Sequence, residues 1–314
     1  MIIKFKKLLL LLTLVSPHLI ASENLECLYL DTDRDLISNY KILDITRSDI
    51  HFSRVEKLEF FVDGVGQFQL DIRQYSPGLF QSSEQFDDII LFPTINGEGA
   101  LERSMARYLA RRGFRVSILN IEDVISEDSS EFGLETSCKM EKMYVRIEQS
   151  AYILSEYLKR TNAKGKLHFL GASQGGIRSI IAAAAVKRTK NVWTNVAGGD
   201  FPSLYAYSSV AGIESFRRKH MLVLGLESVE EYETYLESRF VRDPVKSCRQ
   251  IHDRGAANIS MVIASDDTSV PTSNQFALKK ACSPNFLRVV SGGHLRGVTD
   301  MYFLRRQILD FFEN

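Results

Sequence analysis

The chain has 314 residues, 39 Lys plus Arg against 39 Asp plus Glu, four cysteines, 45% hydrophobic and 25% charged residues. This composition excludes disorder, collagen-like repeats and a polytopic membrane protein, and zero net charge argues against a nucleic-acid binder, which carries a basic excess. The length holds one large α/β domain or two small ones, with ample core either way.

Residues 1–21 carry Lys4, Lys6 and Lys7 and no acid, then an apolar run at 8–15, a break at Ser16-Pro17 and a small residue at Ala21. They are expected to be a cleaved secretory signal, because the apolar run is shorter than the ~20 residues of a transmembrane helix. Without them 293 residues remain, 36 basic and 39 acidic, net −3. The mature chain is then expected to be exported, periplasmic or extracellular. The longest later apolar run, 180–186, suits a buried helix, so no stable membrane insertion is expected. Export makes Cys27, Cys138, Cys248 and Cys282 candidates for two disulfides. No two of them stand close enough for a CxxC zinc pair.

Residues 22–54 are polar and irregular and are read as an N-terminal extension. The domain proper is expected over 55–314. Strands are expected at 55–62 and 68–75, joined by a turn with Gly64 and Gly66. A short, wholly apolar strand follows at 89–92. Next comes a helix at 100–112, with Leu101, Met105, Tyr108 and Leu109 on one face and Gly113 as its stop. A strand at 114–119, an amphipathic helix at 140–160, a strand at 167–170, a small apolar helix at 177–187 and a strand at 192–196 continue the alternation. Residues 201–255 break it with a helical insert, in which Ser228 and Glu231 have capping-box spacing. A strand at 259–264, a helix near 273–281, a strand at 286–290 and a last helix from about Asp300 complete the chain. Such alternation implies an α/β fold, a mainly parallel sheet with helices on both faces. Ligands on such sheets bind beyond the carboxyl ends of the strands.

Three strand ends carry suitable chemistry. After 167–170 comes Gly171-Ala172-Ser173-Gln174-Gly175-Gly176, a G-x-S-x-G between strand and helix. A nucleophile elbow needs such small flanks, because the chain reverses sharply at a strained serine. After 259–264 comes Ser265-Asp266-Asp267-Thr268-Ser269-Val270-Pro271, and after 286–290 comes Ser291-Gly292-Gly293-His294. Serine, acid and histidine thus follow one another, each just past a strand.

In these residues the chain resembles the α/β-hydrolase superfamily over about residues 55–314. The elbow looks like the G-x-S-Q-G-G of carboxylesterases and acyl-protein thioesterases. Asp267 to Pro271 looks like a D-x-x-V-P, and Gly293-His294 like the family's G-H. The resemblance implies that Ser173 is the nucleophile, His294 the base and Asp267 the orienting acid. A serine hydroxyl needs a base within hydrogen-bond reach, imidazole titrates near neutrality, and the acid fixes its tautomer. Asp266 points the opposite way in extended chain and suits a turn cap. Asp200, after the strand at 192–196, is a further place for the acid. Of the other histidines, His18 leaves with the signal and His51 precedes the sheet. His168 is expected to be a packed core residue, and His220 and His252 lie in the insert.

The backbone N–H of Gln174 would be one oxyanion donor. The second would come from Pro93-Thr94-Ile95-Asn96-Gly97-Glu98-Gly99, where relatives often carry His-Gly; the count falls on Ile95, with Thr94 as the alternative. The insert occupies the place of a cap. Its Phe201, Tyr205, Tyr207, Phe216, Met221, Leu222, Leu224, Tyr232 and Tyr235 either line an apolar lid or pack the insert onto the sheet, and packing is favoured for most.

The resemblance implies a serine hydrolase of carboxylic esters or thioesters, acting on a small-molecule acyl substrate, an apolar one where the insert lines a lid, with no metal or organic cofactor. Serine peptidases of the prolyl-oligopeptidase type share G-x-S-x-G-G but usually add a large N-terminal domain. A non-catalytic binding protein would usually lose part of the triad. Cys248 and Cys282 each precede a strand start at the same end of neighbouring strands, so they are expected to pair, leaving Cys27 with Cys138.

Overall fold

Nine strands and ten helices are seen in the computed structural model, which describes residues 40–50, 53–62, 66–77, 86–95, 97–121, 136–162, 164–255 and 257–314. The strands are β1 (Tyr40–Ile50), β2 (Ser53–Val62), β3 (Gly66–Tyr75), β4 (Asp88–Phe92), β5 (Arg115–Asn120), β6 (Leu167–Ala172), β7 (Thr189–Asn195), β8 (Asn258–Ala264) and β9 (Phe286–Val290). They form one sheet in the order β1-β2-β3-β5-β4-β6-β7-β8-β9. The first three strands and the β3–β5 pair are antiparallel. Every pair from β5 through β4 to β9 is parallel. β1 stands upstream of residue 55, where the sequence carried no strand signal. It is an edge strand in an antiparallel hairpin, a setting that tolerates a polar sequence. The expected signal and Cys27, one partner of the expected Cys27–Cys138 pairing, fall on residues outside those described.

The helices are α1 (Ala100–Ala110), α2 (Thr136–Thr161), α3 (Gln174–Ala185), α4 (Phe201–Tyr207), α5 (Ala211–Leu224), α6 (Val229–Glu237), α7 (Pro244–Asp253), α8 (Thr272–Cys282), α9 (His294–Phe303) and α10 (Arg305–Glu313). Every residue of β4 and β6 is buried, as expected of parallel strands covered on both faces. Their alternation feeds two cores. Ile90, Phe92, Phe169 and Val192 pack with Met143 and Ile147 of α2 and Ile180 of α3. Ile89, Leu91, Leu170 and Trp193 pack with Met105 and Leu109 of α1, Met301 of α9, and Ile308 and Phe312 of α10. A buried ion pair inside this frame, Arg115 to Asp88 at 2.6 Å, also ties β5 to α2, because Arg115 donates to the Leu158 carbonyl at 2.9 Å. A buried pair of this kind is tolerated because its spare donors find acceptors.

The insert comprises α4 to α7. Phe201, Tyr205, Phe216, Tyr232 and Leu236 are buried in the same core as α2 and α3. Phe201 stacks on Tyr144 of α2 at 4.4 Å between centroids, and the Tyr144 and Tyr205 hydroxyls lie 3.0 Å apart. Most of the insert's aromatic residues therefore pack, while Tyr207 and Leu222 face outward. The last helical region begins at His294 rather than Asp300, and a break at Leu304 divides it. Gly293 is its extended N-cap.

Candidate active site

β6 ends and α3 begins at Ser173, whose backbone has φ 55° and ψ −126°. Few side-chain-bearing residues adopt positive φ, and such strain persists only when the surroundings over-determine it. Here they do. The Ser173 N–H donates to the Asn195 carbonyl of β7 at 2.8 Å, and the Ser173 carbonyl accepts from Ile177 at 3.0 Å as the first bond of α3. A side chain at Gly171 would run into the Gly175 backbone, and one at Gly175 would run into the Phe92 and Pro93 carbonyls. The glycines thus let the turn close on itself and on the loop after β4.

The carboxyl ends of β6, β8 and β9 bring three side chains into line. The His294 Nε2 lies 2.9 Å from Ser173 Oγ, and its Nδ1 lies 2.8 Å from Asp267 Oδ2. Asp267 is buried. Its Oδ1 accepts from the Ser269 N–H at 2.9 Å and the Val270 N–H at 3.0 Å, and its Oδ2 accepts from Gln275 Nε2 at 2.8 Å. Surrounded by donors, the carboxylate acts purely as an acceptor. The imidazole must then donate from Nδ1, which leaves Nε2 free to accept the serine proton.

Asp266, next door, is exposed and does different work. Its Oδ2 accepts from the Gly292 N–H at 3.1 Å and the Ser265 hydroxyl at 2.9 Å, and its own N–H donates to the Gly292 carbonyl at 3.1 Å. It pins the loop that presents His294. Asp200 caps α4 in a left-handed conformation, with its N–H on Asp243 Oδ1 at 3.1 Å. Burial raises its pKa, and the neighbouring Asp243 carboxylate raises it further.

The remaining histidines are placed elsewhere. His168 is buried against the Phe114 and Phe312 rings, and burial lowers its pKa. His220 is buried between α5 and α6, with Nδ1 3.1 Å from the Tyr232 hydroxyl, and burial lowers its pKa to about 4. His252 is exposed at the end of α7.

Two sites bear on the oxyanion. Gln174 is the first residue of α3, so its N–H belongs to the unpaired donors of the helix start, where negative charge is favoured. In the loop after β4, Thr94 and Gly97 form a bridged turn, with Gly97 N–H on the Thr94 carbonyl at 2.9 Å. The Thr94 N–H and hydroxyl both turn to Glu102 Oε1, each at 3.3 Å, and Glu102 Oε2 accepts from Gly99 N–H at 2.9 Å. Of the two N–H groups that the sequence left open, that of Thr94 is therefore directed into α1, and Ile95 is the candidate that remains. Sequence reasoning missed Glu102 and Gln275. Glu102 stands three residues after the Gly99 N-cap, the spacing of a capping box, which marks it in the sequence. Gln275 has no such signal.

No protein-family model matches the chain, and no curated protein matches it. Solved structures do. An acetyl xylan esterase from Thermoanaerobacterium sp. JW/SL YS485 aligns at TM-score 0.64 with 17% identity, covering 90% of this chain and 92% of that one. An acetyl xylan esterase from Paenibacillus sp. R4 aligns at TM-score 0.62 with 15% identity, covering 90% and 93%. An acylaminoacyl peptidase from Pyrococcus horikoshii aligns at TM-score 0.53 with 13% identity, covering 87% of this chain and 49% of the peptidase. At these identities the likeness is one of fold, and the fold is that of the α/β-hydrolases.

Proposed function

We propose that this chain is an exported serine hydrolase that cleaves carboxylic ester or thioester bonds through an acyl-enzyme. One observation carries the reading: Ser173, His294 and Asp267 stand in an unbroken hydrogen-bonded line at 2.9 and 2.8 Å, with the serine held at positive φ between β6 and α3.

In this reading Ser173 Oγ attacks the acyl carbonyl carbon while His294 Nε2 takes its proton. Asp267 stabilises the imidazolium that forms and keeps Nδ1 protonated. The oxygen that becomes negative is met by N–H groups of Gln174 and Ile95. Collapse of the tetrahedral intermediate releases the alcohol or thiol, which leaves with the proton from Nε2. Water, deprotonated by the same nitrogen, then frees the acid and restores Ser173. Esterase neighbours at high mutual coverage favour an ester substrate. The disulfide between Cys248 and Cys282 favours export, since such bonds persist in oxidising compartments. No described helix is long and apolar enough to cross a membrane.

The test is a panel of esters, thioesters and dipeptide-release substrates on wild type and Ser173→Ala. Ester or thioester turnover that falls by roughly 10⁴ or more in the variant is expected. Full activity in Ser173→Ala contradicts the mechanism, and turnover confined to the peptides contradicts the substrate class.

A further inference from the structure

We propose that Gln275 is the positioning residue for Asp267, and through it for His294, in the hydrolysis proposed above, on which this inference rests. Gln275 lies in the first turns of α8 and is fully buried. All its bonding groups are used. Oε1 accepts from the N–H of Ala264, the last residue of β8, at 3.1 Å. Nε2 donates to Asp267 Oδ2 at 2.8 Å and to the Val270 carbonyl at 2.8 Å. One side chain thus joins the strand end, the far side of the acid loop and the carboxylate between them.

The geometry explains the residue type. Oδ1 of Asp267 is held by two backbone N–H groups, while Oδ2 is shared between His294 and Gln275. Gln275 therefore sets the carboxylate plane on the side that faces the imidazole. Only an amide can accept from a backbone N–H and donate twice with no charge of its own. A lysine here would donate but could not accept from Ala264, and its charge would compete with the imidazolium for Asp267. An ionised glutamate would accept from Ala264 but would turn a second carboxylate on Asp267. Gln275 acts through Asp267 and does not meet the substrate.

The test uses the full chain with Gln275→Met, which keeps the side-chain length without the polar atoms, and Gln275→Glu, which keeps the acceptor alone. Three quantities are read: kcat and KM on an ester turned over by wild type, the thermal midpoint, and the far-downfield proton resonance of His294 Nδ1, assigned by its loss in His294→Gln. Both variants are expected to lose kcat by roughly 10- to 100-fold, with KM nearly unchanged and the resonance shifted or broadened. A folded variant that keeps wild-type kcat and an unmoved resonance, even at a lower thermal midpoint, overturns the proposal, because only a structural role would then remain. Should wild type turn over neither ester nor thioester, the proposed function falls, and the resonance in the folded variants still decides whether Gln275 orients the histidine. If Gln275→Met does not fold, Gln275→Glu, which keeps the Ala264 bond, carries the same comparison.

Discussion

Ser173 shows how much a single residue's placement can argue. Its positive φ would be costly in an ordinary turn, and it is accepted here because β7, α3 and the loop after β4 all meet at the elbow. Asp267→Asn should lower kcat by roughly 10⁴, because an amide that donates to Nδ1 puts the imidazole in the wrong tautomer, and it should also lower stability, because the new NH2 would face the Gln275 NH2 donor to donor. Asp266→Asn, at the neighbouring position, should leave kcat within about tenfold, since it alters a loop contact rather than the imidazole. Steady-state kinetics on the two variants separate their roles, and equal losses would contradict the assignment. The adjacent aspartates were legible as alternatives in the sequence because extended chain turns them to opposite sides. Which one faces the histidine follows from the Ser269 and Val270 amides, the Gln275 side chain and the fold of β9. Gln275 itself was not legible: a polar residue in a short helix has the same pattern whether it meets solvent or a buried carboxylate.

At the scale of elements, the insert is fixed at both ends, to the loop that carries the acid and to the helix that follows it. The Ser208 hydroxyl donates to the Ser269 carbonyl at 2.5 Å, and the Ser209 N–H donates to the Thr268 carbonyl at 2.9 Å. At the other end Cys248 of α7 is bonded to Cys282, the last residue of α8, across 34 residues of chain. Replacing both cysteines with serine should cost about 3–4 kcal/mol by the loop-entropy relation. Urea denaturation of the oxidised wild type and the double variant reads this, and equal midpoints would show that the crosslink constrains nothing. The Ser228 capping box is a smaller device of the same kind. Ser228 Oγ accepts from the Glu231 N–H at 3.1 Å, and Glu231 reaches back to the Ser228 N–H at 3.4 Å. Ser228→Ala should lower stability by about 1 kcal/mol, read in the same denaturation experiment. That box was visible in the sequence because capping is local. The packing of Phe201, Tyr205 and Tyr232 in the core with α2 and α3 was favoured there over a lid, although helical spacing of aromatics is the same in both.

For the whole molecule, the buried histidines make stability depend on pH. His220 has its pKa lowered by burial from 6.5 to about 4. The unfolded chain therefore binds a proton that the folded chain refuses, and its contribution is complete above pH 6.5 and is lost as pH falls from there toward 4. Between pH 7 and pH 5 this one group should cost about 2 kcal/mol. His220→Phe should flatten the slope of the urea midpoint against pH over that window; an unchanged slope would mean that His220 is charged when folded. The parallel centre of the sheet was legible because strands buried on both faces are continuously apolar. β1 was not, because edge pairing imposes little pattern on its sequence. The three strand-end motifs were legible one by one, while their convergence needed the order β6-β7-β8-β9, which places three distant loops at one end of the sheet. The most direct measurement of the central claim is intact mass and peptide mapping after reaction with an active-site-directed fluorophosphonate. One adduct, on Ser173 and absent from Ser173→Ala, is the predicted result. Folded wild type that takes up no adduct, or an adduct on another residue that persists in Ser173→Ala, would contradict it.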